Sequence, residues 1–284
     1  YGCHFFCFHS EDGILDLVRS RGLGDVYKRQ EMGDADAETR QQKQQEALAY
    51  IEESLLAFGR DPIVLNNAGV LCARYGLYRE AHDYFQEALK KLPTLTAAQE
   101  LERQGFLLMD TLIYFSRDIR AAQIPRVRPG ITVRGYRPGD EDGIGRIAGD
   151  CFHDYLGHYH ADSRLDREKC DEVYTDWALR SCLSRDPADG VLVACVGDDI
   201  AGFGTMHMNE SRQGEGLLFG VSPSFRGQGV YRAIMIHCLN WCAERGLEEM
   251  TISTQVTNLV SQKTWIRLGF EPVSSCYTFH RWFT

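Results

Sequence analysis

Residues 217–231 read LLFGVSPSFRGQGVY, and this stretch decides the fold of the chain. Its apolar start is typical of a buried strand, and a short loop leads from it into a helix that we expect to end near Arg245. Gly227 and Gly229 let backbone N–H groups point into one concavity, and the helix N-terminus adds partial positive charge. This arrangement is suited to an anionic ligand, to which Arg226 could add a charge-assisted contact.

Glycine-rich turns before helices also occur as plain structural caps, so the elements around this one decide its meaning. Alternation, breakers and turn residues predict strands and helices on both sides. The expected elements are a strand over 131–136, a helix from Pro138 to about Phe152, a hairpin of 191–196 and 200–208, a strand over 249–255, a helix over 258–268 and a closing strand over 275–282.

The order of strand, loop, Arg-Gly-Gln-Gly-Val-Tyr and helix resembles the acyl-CoA motif of the GNAT acetyltransferases, and Asn258 followed by a helix and Gly269-Phe270 resembles a later part of the same family. The resemblance implies an α/β GNAT fold over 131–284, with a mixed central sheet and flanking helices, acetyl-CoA as acyl donor and no metal. The implied cofactor-binding residues are Phe219, Gly220, Val221, Arg226, Gly227, Gln228, Gly229, Val230, Tyr231 and Asn258.

One position departs from the motif of that family. Tyr231 stands where the family usually has Gly or Ala. Its ring either flanks the cofactor or points into the packing of the helix.

In the reaction that the resemblance implies, a neutral amine attacks a thioester, and a backbone N–H of strand 217–222 stabilises the oxyanion. A base must take a proton from the amine. Glu215, at the start of that strand, is the first candidate and His207 the second. The alternative for Glu215 is a solvated carboxylate at a strand end.

The leaving thiolate also needs a proton, which many GNAT members supply from a tyrosine in the helix after the asparagine. This chain has Trp265 there, and an indole cannot act as an acid at ordinary pH. Either another group such as Tyr277 replaces it, or the thiolate leaves to solvent.

A narrower resemblance rests on short patches: YHADSRL at 159–165, Tyr174 and Trp177, and STQVTN at 253–258. Together they are similar to the dTDP-fucosamine acetyltransferase group, which acetylates the 4-amine of a nucleotide-linked sugar. The implied acceptor-binding residues are His160, Asp162 and Arg164. A metal bound by His158, His160 and Asp162 is the less favoured alternative, and plain loop polarity is the third. Tyr174 and Trp177 are expected to pack in a core.

The segment 36–118 has a different pattern, which resembles a tetratricopeptide repeat and predicts a small all-α region. The positions that carry this resemblance are Leu65, Gly69, Cys72, Gly76, Tyr78, Ala81, Phe85, Ala88 and Pro93. We expect a further helix from Thr96 to Phe115, with Leu107, Leu108, Leu112 and Ile113 on its packing face. The region is interpreted as a surface for a protein partner or as a scaffold, and 119–130 as a linker.

The first thirty residues are expected to be an artefactual, disordered leader. Residues 20–30 read SRGLGDVYKRQ, which resembles an in-frame translation of a sequencing-library adapter. We therefore expect the native chain to begin at or after Glu31.

Composition limits the remaining functions. A formal charge of −9 argues against broad nucleic-acid binding. Ten scattered cysteines suggest reduced thiols in a cytoplasm, and the longest apolar run, 106–115, is too short to span a bilayer. The leading hypothesis is acetyl transfer to a small-molecule primary amine, with an amino-sugar nucleotide as the first substrate class to test. The alternatives are transfer to a protein or peptide recruited by the repeat, and acyl-CoA binding without chemistry.

Overall fold

The computed structural model describes residues 2–9 and 15–16 and, from 37 to 283, all positions except 61, 76, 78, 82, 85, 86, 88–93, 121, 122, 154, 156, 210 and 211. The chain divides into two compact units. One contains Tyr1–Thr111 and Ser274–Thr284, and the other contains Leu112–Val273.

The unit Leu112–Val273 is built on a mixed sheet. Its strands, in chain order, are β3 (Leu107–Asp118), β4 (Thr132–Gly135), β5 (Asp189–Val196), β6 (Asp199–Met208), β7 (Gln213–Val221) and β8 (Glu249–Gln255). Their order across the sheet is β3-β8-β7-β6-β5-β4. The β7–β8 pair is parallel, whereas the other four pairs are antiparallel.

Helices cover both faces of this sheet. In chain order they are α4 (Glu141–Phe152), α5 (His158–Ala161), α6 (Arg167–Leu183), α7 (Val230–Glu244) and α8 (Leu259–Arg267), with a 3₁₀ turn at Pro223–Phe225. From β4 to α8 the predicted strands and helices occur in their predicted order, and α5 and α6 are additional elements.

Helix α7 provides the centre of the core. Most of its side chains are buried, and with Phe115, Trp265 and Phe270 they form one apolar cluster. Glycines in β6 allow the helix to come close: a Cβ at Gly202 would lie 3.0 Å from the Cδ1 of Ile234, and one at Gly204 would lie 2.8 Å from its Cγ2. A Cβ at Gly202 would also lie 2.8 Å from the carbonyl oxygen of Gly220, and one at Gly204 would lie 2.7 Å from the Cε1 of Phe219. Because side chains do not tolerate contacts below 3.0 Å, both positions require glycine.

The other unit contains helices and a small sheet. Helices α1 (Ala37–Phe58), α2 (Pro62–Arg74) and α3 (Thr94–Arg103) are described, and β1 (Gly2–His9) pairs antiparallel with β2 (Leu15–Asp16) and with β9 (Glu271–Phe283). The apolar core of this unit comprises Ile51, Ala68, Cys72, Ala81, Leu101, Phe106 and Phe279.

The likeness to a tetratricopeptide repeat stays a prediction. Leu65 and Cys72 are fully buried, as that pattern requires, and the Nε2 of Gln44 in α1 donates to the carbonyl of Tyr75 at 2.7 Å. Several positions that carry the pattern lie outside the described residues: Gly76, Tyr78, Phe85, Ala88 and Pro93.

The predicted helix from Thr96 to Phe115 is wrong in its second half. Helix α3 ends at Arg103, Gly105 takes φ +81°, and the chain continues as strand β3 from Leu107. A positive φ stops a helix, and the aromatic and β-branched residues that follow favour a strand. The packing residues expected on that helix, Leu107, Leu108, Leu112 and Ile113, therefore belong to β3.

Two composition-based expectations can be compared with the structure. Seven of the cysteines with described side chains are free thiols, but Cys276 is disulfide-bonded, so reduced thiols are not found at every position. Among the helices that the structure describes, none is long and apolar enough to cross a membrane.

The packing of α7 gives a stability test. Ile234 in α7 is fully buried, whereas Ile266 in α8 is 56% exposed. We expect Ile234→Ala to lower the free energy of unfolding by about 2–5 kcal/mol, since it leaves a cavity in the core. The matched change Ile266→Ala should cost about 1 kcal/mol or less. Urea denaturation followed by circular dichroism measures both, and equal losses would contradict this description of the core.

Candidate active site

The loop between β7 and α7 has the geometry of an anion site. Gly227 and Gly229 have φ of +77° and +90°, and Gly229 is the residue that precedes the first turn of α7. Gly229, as the N-cap, has no side chain that could cap this turn, and the residues of the turn itself include no acidic side chain. Its N–H groups are therefore available to an anionic ligand, and the exposed Arg226 lies at the start of the loop.

Strands β7 and β8, which are neighbours in the sheet, stop pairing beside this loop. Parallel pairing between β7 and β8 runs from Gln213 with Glu249 to Gly216 with Ile252, and then stops. Both strands continue, β7 to Val221 and β8 to Gln255. A register shift against β6 occurs at the same place, where Thr205 pairs with Leu218 and Met206 pairs with Gly216. A bulge of this kind bends a strand. The stretch beyond Gly216 and Ile252, over which β7 and β8 have no described pairing, is called the gap.

Backbone donors of β7 point into the gap. The N–H of Ser222 donates to the carbonyl of Ala201, and that of Leu218 to the Oγ1 of Thr205, both on the β6 side. Because successive N–H groups of a strand point to opposite edges, those of Phe219 and Val221 face away from β6. They are placed to donate to a ligand between the strands.

The ring of Tyr231 points into the packing between the helices. Its hydroxyl oxygen accepts the Nε1–H of Trp265 at 2.8 Å, and its ring meets that of Phe219 edge-on at 5.9 Å. Burial is the main cause that raises the pKa of this phenol well above its usual value. The sequence left two orientations open for this ring, and in the structure it contacts both α8, through Trp265, and the end of β7, through Phe219.

The two candidate bases, Glu215 and His207, are opposite each other on β7 and β6. They lie on the face of the sheet against which α4 packs, since a Cβ at Gly220 would meet Phe203 and Ile147 on that side. The Nδ1 of His207 is 2.7 Å from the Oδ1 of Asp189. This carboxylate favours a proton on Nδ1 and so leaves Nε2 as the basic nitrogen.

Polar side chains link the end of β8 to neighbouring elements. The Nδ2 of Asn258 donates to the Oγ1 of Thr254 at 2.9 Å, and its Oδ1 accepts the N–H of Ser261 at 3.3 Å, as the N-cap of α8. The hydroxyl of Tyr155 donates to the Oε1 of Gln255. Asn258 thus holds the first turn of α8 at the edge of the gap.

The predicted acceptor-binding residues differ in their exposure. The side chain of His160 is 1% exposed and its Nε2 lies 2.8 Å from Asp171, while Asp162 is buried and accepts the N–H of Arg164 at 3.0 Å. Arg164 is exposed. His160 also lies parallel to the ring of Tyr174, with centroids 6.4 Å apart.

The aromatic residues near this loop form a core, as the sequence predicts for Tyr174. Its ring stacks on that of Phe152 at 4.6 Å and meets those of Tyr155 and Tyr159 edge-on. A carboxylate-rich groove of about 480 Å³ lies between α4 and α6. It is lined by Gly149, Asp150, His153, Asp171, Glu172, Thr175 and Asp176.

Two further expectations concern a metal and an acid. Within the described part of the chain, no group of three or more His, Cys, Asp or Glu side chains can hold a metal ion. Tyr277 belongs to the unit that contains Tyr1–Thr111 and Ser274–Thr284. There it packs against the cluster that contains Ile51 and Phe279.

Sequence reasoning missed Asp189 and the role of Tyr231. Asp189 is opposite His207 only in the register of β5 and β6, which a sequence does not specify. Tyr231 departs from a motif, but the sequence does not show its contact with Trp265, which lies 34 residues further along the chain in another helix. A signal for this contact was present in the sequence, because Tyr231 and Trp265 both differ from the residues usual in the family at those positions.

Comparison with known proteins gives one family and several relatives. The profile of the acetyltransferase (GNAT) family matches residues 152–270. Mycothiol acetyltransferase of Actinosynnema mirum is 28% identical over 152 residues, which cover 52% of this chain and 47% of that protein. The spore coat polysaccharide biosynthesis protein SpsD of Bacillus subtilis is 24% identical over 147 residues, covering 51% and 48%. The chain spans about half the length of these curated relatives.

A solved structure supports the fold. The crystal structure of a GCN5-related N-acetyltransferase from Sphaerobacter thermophilus superposes with a TM-score of 0.50 at 15% identity. The match covers 74% of this chain and 68% of that one. At this identity the likeness concerns the fold alone.

The loop before α7 gives a binding test. Replacing Gly229 by Ala forces an L-residue into the left-handed region at about 1–2 kcal/mol. We expect the loop to shift and the affinity for CoA to fall about tenfold, the equivalent of about 1.4 kcal/mol. Gly139 is the matched control, because it has φ +101°, no atom within 4 Å of its added Cβ, and a position in the turn before α4. Titration calorimetry should show normal CoA binding by Gly139→Ala, and a similar loss in both variants would contradict the assignment.

Proposed function

We propose that this chain, whose residues 152–270 match the profile of the acetyltransferase (GNAT) family, transfers an acetyl group from acetyl-CoA to the primary amine of a small molecule. The observation that carries the proposal is the gap between β7 and β8 beside the uncapped first turn of α7. A pyrophosphate fits the loop of Gly227 and Gly229, and an extended acyl arm fits an opening between two strands.

In this proposal the acyl arm takes the place of the missing strand pairing. The amides of Phe219 and Val221 face the gap, where they can bind the arm and the carbonyl oxygen of the thioester. Charge develops on that oxygen when the amine attacks, and a fixed N–H donor stabilises it. The reaction needs neither a side-chain nucleophile nor a metal.

The amine must lose a proton before or during attack, and two groups are candidates for the base. Glu215 is the first, and it is half-buried on β7 just before the gap opens. His207 is the second, with a tautomer fixed by Asp189 at 2.7 Å. The contact between His207 and Asp189 strengthens the case for His207 beyond what its sequence position supports.

The finer proposal concerns the acceptor. The patches at 159–165 and 253–258 favour an amino-sugar nucleotide, and Arg164 is the exposed member of the predicted acceptor set. The names of the two relatives refer to mycothiol and to spore coat polysaccharide. These names describe the relatives and do not identify the acceptor of this chain. The carboxylate-rich groove between α4 and α6 gives a reason to test cationic amines as well.

The acceptor is tested by free-thiol release from acetyl-CoA with the full chain. The panel contains amino-sugar nucleotides, polyamines, aminoglycosides and lysine peptides. Release with an amino-sugar nucleotide would support the finer proposal, and release with another small amine would support the general one alone. Release only with peptides would favour a protein acceptor, and acetyl-CoA binding without turnover on any amine would contradict the proposed activity.

The base is tested by a charge-removing change. Gln cannot accept a proton, so we expect Glu215→Gln to lower kcat/KM by about 100-fold or more at neutral pH. The loss should diminish as pH rises, because a larger fraction of the amine is then neutral. Glu244→Gln, an exposed residue at the end of α7, is the matched control and should keep wild-type rates.

A different result would identify the other base. If Glu215→Gln keeps its rate within about twofold while His207→Asn loses it, the proton is taken by the pair of His207 and Asp189. Steady-state rates between pH 6 and pH 9 decide between the two assignments.

A further inference from the structure

We propose that Tyr231 is the catalytic residue that donates a proton to the leaving thiolate, and that Trp265 positions its hydroxyl. This inference rests on the proposed function. It concerns a residue on α7, next to the phosphate-binding loop, whereas the sequence pointed to Tyr277 or to solvent for this proton.

The geometry places the phenol of Tyr231 beside the gap. Tyr231 is the second residue of α7, and its ring contacts Phe219. Phe219 lies in the part of β7 that is beyond its pairing with β8. The hydroxyl extends to Trp265 of α8, which holds it at 2.8 Å. The side chain therefore reaches from the loop toward α8, alongside the unpaired end of β7 where the acyl arm is proposed to lie.

The hydrogen bond leaves the phenol able to donate. The indole of Trp265 has an N–H and no acceptor, so the hydroxyl oxygen of Tyr231 is the acceptor in this contact. The proton of Tyr231 is therefore not used by Trp265. A tryptophan that cannot act as an acid instead orients a neighbour that can.

The surroundings of Tyr231 keep the phenol protonated. Burial raises the pKa of Tyr231 well above its usual value, while hydrogen bonds from Trp265 and Ser261 act in the opposite, weaker direction. The titratable groups that act on it are Cys238 of α7 and Tyr155 of the loop after α4. Burial also raises the pKa of the Cys238 thiol, so this group stays neutral near pH 7. From β7 the phenol meets Phe219, which carries no charge.

Proton donation by Tyr231 accompanies cleavage of the thioester. The amine nitrogen forms a bond to the acetyl carbon, the carbon–sulfur bond breaks, and its electron pair goes to sulfur. The hydroxyl of Tyr231 gives its proton to that sulfur, which leaves as the thiol. The proton lost by the amine passes through the base to solvent, and the tyrosinate takes one proton back from solvent.

The test compares Tyr231→Phe with Tyr136→Phe, a matched change at a tyrosine that donates to Glu141 in the turn before α4. We expect Tyr231→Phe to lower kcat at pH 7 by about 100-fold while acetyl-CoA affinity, measured by calorimetry, changes little. At pH 10 the defect should shrink to below about tenfold, because a thiol with an ordinary pKa of about 8.5 leaves readily as the anion. Tyr136→Phe should keep wild-type rates.

Trp265→Phe examines the positioning role. It keeps an aromatic ring but removes the N–H, so we expect a smaller fall in kcat with an unchanged KM for acetyl-CoA. Equal rates of Trp265→Phe and the wild type would overturn the role given to Trp265.

The outcomes separate this assignment from the proposed function. An active wild type with an equally active Tyr231→Phe would overturn the acid and leave the acetyltransferase standing. A defect that is the same at pH 7 and pH 10, accompanied by lost acetyl-CoA binding, would show a structural role instead and also overturn it. A wild type without turnover on the whole amine panel would overturn both proposals.

Discussion

The close packing of α7 on the glycines of β6 is the contact on which the rest of the site depends. A Cβ at Gly202 or Gly204 would lie only 3.0 or 2.8 Å from the side chain of Ile234, so larger residues at these positions would push α7 away from the sheet. This contact fixes the axis of α7, and with it the position of its first turn. Because a helix N-terminus binds an anion only through N–H groups that point at it, the position of the proposed anion site follows from a contact within the core.

The second constraint is the separation of β7 and β8. The parallel pairing ends at Gly216 and Ile252, where β7 also carries a bulge against β6. Unpaired N–H groups at a strand edge need a partner, and inside a sheet water serves poorly. An extended ligand that supplies acceptors along the edge meets this requirement, which is why the gap and the loop support one proposal.

Some of this could be predicted from the sequence. The strand–loop–helix at 217–245 has strong periodicity and two glycines in a loop, so its form and its anion-binding chemistry were predictable. The strand at Leu107–Asp118 was not, because an apolar run such as 106–115 satisfies a helix and a strand equally well by periodicity. The contacts of Asp189 with His207 and of Trp265 with Tyr231 depend on strand register and helix orientation. Neither is encoded by local pattern.

The two faces of the sheet divide the proposed chemistry between them. Glu215 and His207 lie on the face that α4 covers, whereas Tyr231 and Trp265 lie on the face that α7 and α8 cover. Acyl transfer needs a base at the amine nitrogen and an acid at the sulfur. Both atoms are bound to the tetrahedral acetyl carbon, and they lie in different directions from it. In this proposal the gap in the sheet lets the base approach the nitrogen from one face and Tyr231 approach the sulfur from the other, with the backbone of β7 between them.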